Sequence, residues 1–138
     1  MSDYLIKIIL ASGLLGAACV SFFTMMARFG RPGDEARSER LRRLHKTSGY
    51  TYILLLVPLA FFGGRFLVKM GEGLSVRGTF HFVLAMALLA VLLLKYMTVK
   101  THRQLMRYAA SLGMTLFSVT LVVFLITAAY FLLLRIAG

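Results

Sequence analysis

A chain of 138 residues is one domain long, and 59% of its residues are apolar, more than a soluble core needs. Its net charge of +11 comes from 16 Lys and Arg against 5 Asp and Glu, but too little chain lies outside the apolar runs to build a nucleic-acid recognition fold, so no nucleic-acid partner is expected. The single cysteine, Cys19, rules out a disulfide within the chain.

Four stretches carry no charged residue: 8–27, 47–64, 78–94 and 108–134. About 20 mostly apolar residues carry a helix across the hydrocarbon core. The second and third runs are at the short end of that range, and Arg65, Lys69 and Lys95 can extend them by snorkelling. The expected fold is all-α, an integral membrane four-helix bundle running up-down-up-down. Its spans are about 4–27, 47–69, 78–99 and 103–134, in a single transmembrane domain.

In the first run, small residues recur four apart in two registers, Ser12 with Gly16 and Gly13 with Ala17 and Ser21. That spacing lets helix backbones approach closely, and packing within the chain is the simplest reading. The segment Leu15 to Cys19 approaches a lipoprotein cleavage signal, but Gly16 stands where a larger residue is usual. The run is also too long for a signal-peptide core, so a retained helix is expected. Arg31, Pro32 and Gly33 break the chain, and Asp34 is a good helix N-cap. From Asp34 to His45 arginines surround Leu41 and Leu44, the pattern of a short amphipathic interfacial helix running into the second span. Pro58 falls in mid-span and predicts a kink or a freed carbonyl at Leu54.

Gly71, Glu72, Gly73 and Ser75 predict the next turn, with the third helix starting near Thr79 and reaching about Lys100. Thr101 and Gln104 have the spacing of a capping box, which makes the last connection a tight helical hairpin. Cations are distributed by side. The first connection carries Arg28, Arg31, Arg37, Arg40, Arg42, Arg43 and Lys46, and the third carries Lys95, Lys100, Arg103 and Arg107. Lys7, Arg65, Lys69, Arg77 and Arg135 fall on the other side. The positive-inside rule then places the first and third connections in the cytoplasm and both termini outside, as in a bacterial inner membrane. The same charge attracts anionic headgroups of the lipid bilayer.

All five acids, Asp3, Asp34, Glu35, Glu39 and Glu72, lie in tails or connections. A proton-coupled transporter usually relays through a carboxylate inside the membrane, so that class is disfavoured. No phosphate-binding glycine loop or metal-spaced Cys/His cluster occurs, and no covalent catalysis is visible. What remains is histidine with arginine. Imidazole is a common axial ligand of haem iron. His81 and His102 are separated by about 31 Å on one helix and cannot share an iron. His45 and His102 approach the same membrane face and form the one pair that could, with Arg42, Arg43, Arg103 and Arg107 near enough in sequence to meet propionates. The competing reading is two interfacial histidines among headgroup arginines. His81 stands alone near the other face, with Met70, Lys69, a tyrosine such as Tyr130, a quinone or another subunit as its candidate partners, or a plain hydrogen bond to a neighbouring helix.

Residues 44–50 read Leu-His-Lys-Thr-Ser-Gly-Tyr ahead of an apolar run, and residues 77–81 read Arg-Gly-Thr-Phe-His at the opening of the third helix. With Leu92 to Lys95, Leu112-Gly113 and Thr127 to Tyr130, this resembles small four-helix membrane b-type cytochromes over roughly residues 41–133. The His-Lys-Thr-Ser-Gly stretch is also similar to the His-Arg-x-Thr-Gly of succinate dehydrogenase membrane anchors, which bind haem and quinone and usually have three spans. The resemblance implies a haem-binding electron carrier that exchanges electrons with quinol and a partner redox protein. Di-haem members carry histidines in several spans at matched depths. Here the first and fourth helices have none, so one haem b at most is implied. The alternative expectation is a cofactor-free membrane subunit that anchors or scaffolds other subunits.

Overall fold

The computed structural model describes residues 3–30 and 33–138, with Arg103 described by its backbone alone. The expected break at Arg31 and Pro32 therefore lies outside the described residues. Helix α1 spans Asp3–Gly30, α2 Glu35–Met70 and α3 Val76–Lys100. A 3-10 helix, Arg103–Tyr108, leads into α4 (Ala109–Phe124), a π-helical turn (Leu125–Ala129) and α5 (Tyr130–Ala137). Together Gln104–Ala137 is a fourth segment long and apolar enough to cross a membrane, like α1, α2 and α3. No strand occurs among the described residues.

Large apolar side chains lie on the outside. Leu54 is 72% exposed, Val68 86% and Ile136 81%, while the buried apolar residues include three alanines. A soluble monomer does not expose apolar surface on that scale. The polar side chains suit a dry environment as well. Thr24, Thr98, Thr120 and Thr127 each turn the hydroxyl onto the carbonyl four residues back in their own helix, at 2.6–2.8 Å. This satisfies the donor without a partner outside the helix, which hydrocarbon cannot supply.

The chain divides into two compact units, Met1–Phe66 and Leu67–Gly138. The first is a helical hairpin. Lys7 lies over the Phe62 ring, a Cβ at Gly13 would meet Leu55 at 3.3 Å, and Ser21 bonds Ser48. One index rises as the other falls by a similar amount, so α1 and α2 run antiparallel. The register Gly13, Ala17, Ser21 faces α2, whereas a Cβ at Gly16 would meet nothing within 4 Å.

Asp34 caps α2 as expected, its carboxylate accepting from the Arg37 N–H at 3.1 Å. The amphipathic turns expected to run into the second span do so: residues 35–46 are the first turns of one uninterrupted α2. No breaker separates Glu35 from Lys46, and Glu39 pairs with both Arg42 and Arg43 at 3.4 Å, i,i+3 and i,i+4 contacts that favour helix. The helix also continues through Pro58, which lacks the N–H that Leu54's carbonyl would accept.

In the second unit Gly71, at φ +52°, turns the chain out of α2, and the Gly73 N–H reaches the Met70 carbonyl. A side chain at that φ is strained by about 1–2 kcal/mol. Gly71→Val is expected to lower stability by that amount, read as a drop in the thermal midpoint in detergent. Ser75 caps α3 through the Gly78 N–H at 3.2 Å, so the helix starts at Val76 and not near Thr79. The capping box at Thr101 and Gln104 does not form. Thr101 stays helical and closes α3 onto Met97, and His102 is the residue that leaves helical geometry. The next turn is 3-10, with Leu105 N–H on the His102 carbonyl. α3 and α4 then run antiparallel, Arg77 meeting Tyr130 at one end.

Candidate functional site

His45 is half-buried in α2, about 15 Å along the helix from Glu35. Its Nδ1 lies 2.9 Å from the Ser21 carbonyl oxygen of α1. A carbonyl only accepts, so Nδ1 carries the proton and Nε2 is the lone-pair nitrogen of the neutral ring. Ser48, one turn on, donates its hydroxyl to the His45 carbonyl at 3.0 Å. That uses its one proton, so the 2.7 Å contact between Ser21 and Ser48 hydroxyls has Ser21 as donor. The Thr24 hydroxyl reaches the same Ser21 carbonyl at 3.0 Å. The small-residue face of α1 brings the backbones close enough for this network. It fixes both the tautomer and the direction of the His45 ring, as backbone acceptors do for metal-ligating histidines.

The other residues of the predicted haem pair are placed differently. His102 belongs to the second unit and is exposed, outside any helix. Arg42 and Arg43 are exposed and directed at Glu39. The Arg107 guanidinium lies 4.8 Å over the Tyr108 ring. The Arg103 side chain lies outside what is described.

A second cluster occupies the opposite end of the second unit. His81, in the second turn of α3, is half-buried, and its Nδ1 has no hydrogen-bond partner among the described residues. A buried imidazole nitrogen is costly to leave unpaired, which marks it as a place for a ligand atom. One turn earlier, the Arg77 guanidinium lies 4.1 Å from the Tyr130 ring centre and 4.8 Å from that of Phe131. The two rings meet edge to face at 5.9 Å. They follow directly on the π turn Leu125–Ala129, which packs against α3. Such turns recur at functional sites, because one extra residue re-aims the side chains beyond it. Tyr130, a candidate partner for His81, is thus the platform of Arg77. That pairing was missed in the sequence, although folding the hairpin about Thr101 and His102 would have brought Arg77 opposite Tyr130. Arg77→Ala is expected to cost about 1–2 kcal/mol, the value of a desolvated cation–π contact, whereas Tyr130→Phe retains most of it. Thermal unfolding in detergent measures both.

Four helices long and apolar enough to cross a membrane define a polytopic helical membrane protein. The chain belongs to DUF6529, a family of unknown function, whose profile matches residues 1–136. No curated protein and no solved structure matches it.

Proposed function

We propose that this protein is a membrane electron-transfer component of b-type cytochrome character, passing electrons between quinol and a partner redox protein. It sits in a bacterial inner membrane as an up-down-up-down four-helix bundle, with both termini periplasmic and the basic first and third connections cytoplasmic. The observation that carries this reading is the His45 Nδ1–H bond to the Ser21 carbonyl. It favours the tautomer whose Nε2 would ligate iron, and it would make that nitrogen more basic. His45 would ligate one haem b, which supplies one-electron transfer when bound; the second axial ligand expected from the sequence is His102. His81 would meet a quinone carbonyl through the nitrogen that has no partner, with Arg77 held beside it by two aromatic rings.

A second reading, a cofactor-free anchor or scaffold subunit, is favoured by two placements. Arg42 and Arg43 are spent on Glu39, and His102 is exposed. A dithionite-reduced-minus-oxidised spectrum of the purified protein separates the two. An α band near the visible maximum of b haems supports the carrier. A flat difference spectrum from helical, haem-supplemented protein leaves the anchor.

A further inference from the structure

We propose that the α3–α4 end of the second unit is a binding site for an anionic phospholipid, with one acyl chain in a groove and the phosphate on Arg107. The groove, about 270 Å³ and open on one side, is lined by Leu94 and Thr98 of α3, Leu105 and Tyr108 of the 3-10 helix, and Leu112 and Thr115 of α4, with Ser111 at its edge. The hydroxyls of Thr98 and Thr115 are occupied by the carbonyls of Leu94 and Ser111, so those walls present apolar surface. The 3-10 helix creates the space. It rises about 2.0 Å per residue against 1.5 Å for an α-helix, and so carries Leu105 and Tyr108 along the axis faster than a helical turn would.

Charge decides which lipid fits. From residue 73 to residue 138 the sequence contains no acid, and this end carries Lys95, Lys100, Arg103 and Arg107. Arg107 has no carboxylate partner among the described residues and is held over the ring of Tyr108, itself a wall of the groove. The pattern is an apolar slot with a guanidinium resting on the ring of one of its walls. A phosphate without a counter-cation suits it, and a choline-bearing headgroup brings a second positive charge to a surface already positive. Arg107 is thereby assigned to lipid phosphate and not to a haem propionate. The site stands whether or not haem is bound, because its readout is retained lipid.

The test uses full-length protein in detergent, mixed with phosphatidylglycerol, phosphatidylcholine or chain-free glycerol phosphate, with bound lipid counted by native mass spectrometry. Phosphatidylglycerol is expected to be retained about fivefold over phosphatidylcholine, the factor one cation contributes near an anionic surface. Arg107→Gln should bring the two lipids close to parity, and Arg107→Lys should keep most of the preference. Ser111→Phe, which fills the groove and leaves the charge, should reduce retention of both lipids. Equal retention by the native protein overturns the proposal, as does a preference unchanged in Arg107→Gln. Glycerol phosphate stabilising the protein as much as the full lipid rules out the chain groove. Arg107 is exposed, so its variants test the idea even where Ser111→Phe does not fold.

Discussion

In the proposed haem carrier, His45→Ala is expected to abolish the low-spin haem α band, leaving a protein that is still helical and still inserted. The substitution removes the nitrogen that would ligate iron, and no other histidine lies in the first unit. His102→Ala should do the same, or leave a high-spin spectrum with one axial ligand. His81→Ala provides the contrast. It is expected to leave the band intact and to slow reduction by quinol, because His81 is assigned to the quinone. A band of full intensity in both His45→Ala and His102→Ala would discard the ligand pair, and reduction kinetics unchanged in His81→Ala would discard the quinone role.

Ser48→Leu is expected to be the most destabilising single change in the first unit, costing about 1–3 kcal/mol through overpacking. Ser48 is 7% exposed, and its hydroxyl touches Ser21 at 2.7 Å. A leucine there meets the α1 backbone where small residues allow close approach, and the helices must separate. Ser21→Ala removes only the hydroxyl bond, worth about 0.6 kcal/mol between membrane helices. The difference between the two variants separates packing from polar contact. Moving α1 also withdraws the Ser21 carbonyl from His45, so haem affinity in Ser48→Leu should fall about 10–100-fold, the usual consequence of disturbing a ligand's hydrogen-bond partner. Detergent-titrated helicity reads the first effect and haem titration the second. A Ser48→Leu variant as stable as Ser21→Ala contradicts the close packing of α1 on α2.

The four apolar segments were legible because the bilayer imposes a length and excludes charge. The runs between Lys7, Arg28, Lys46, Arg65, Arg77, Lys95, Arg107 and Arg135 each mark one of the helices, although α2 begins well before its run, at Glu35. Asp34 as a cap was equally local, since one side chain and a nearby N–H decide it. The amphipathic start of α2 was legible too, since the spacing of Leu41 and Leu44 and the absence of a breaker before Lys46 carry one helix into the second span. At Thr101 the capping-box spacing was present, but Thr101 keeps helical dihedrals as the C-cap of α3, its N–H on the Met97 carbonyl.

The sequence by itself determined the number and polarity of the apolar helices and which connections carry most of the cations. Those properties follow from residue type and near-neighbour spacing. Tertiary structure decided which of the two small-residue registers on α1 meets α2. It also placed the Ser21 carbonyl against His45, formed the π turn that sets Tyr130 and Phe131 under Arg77, and left the His81 Nδ1 without a hydrogen-bond partner among the described residues. Each of these depends on the axial register between antiparallel helices. That register is fixed by the sum of many weak contacts between residues distant in the chain, which no local pattern records.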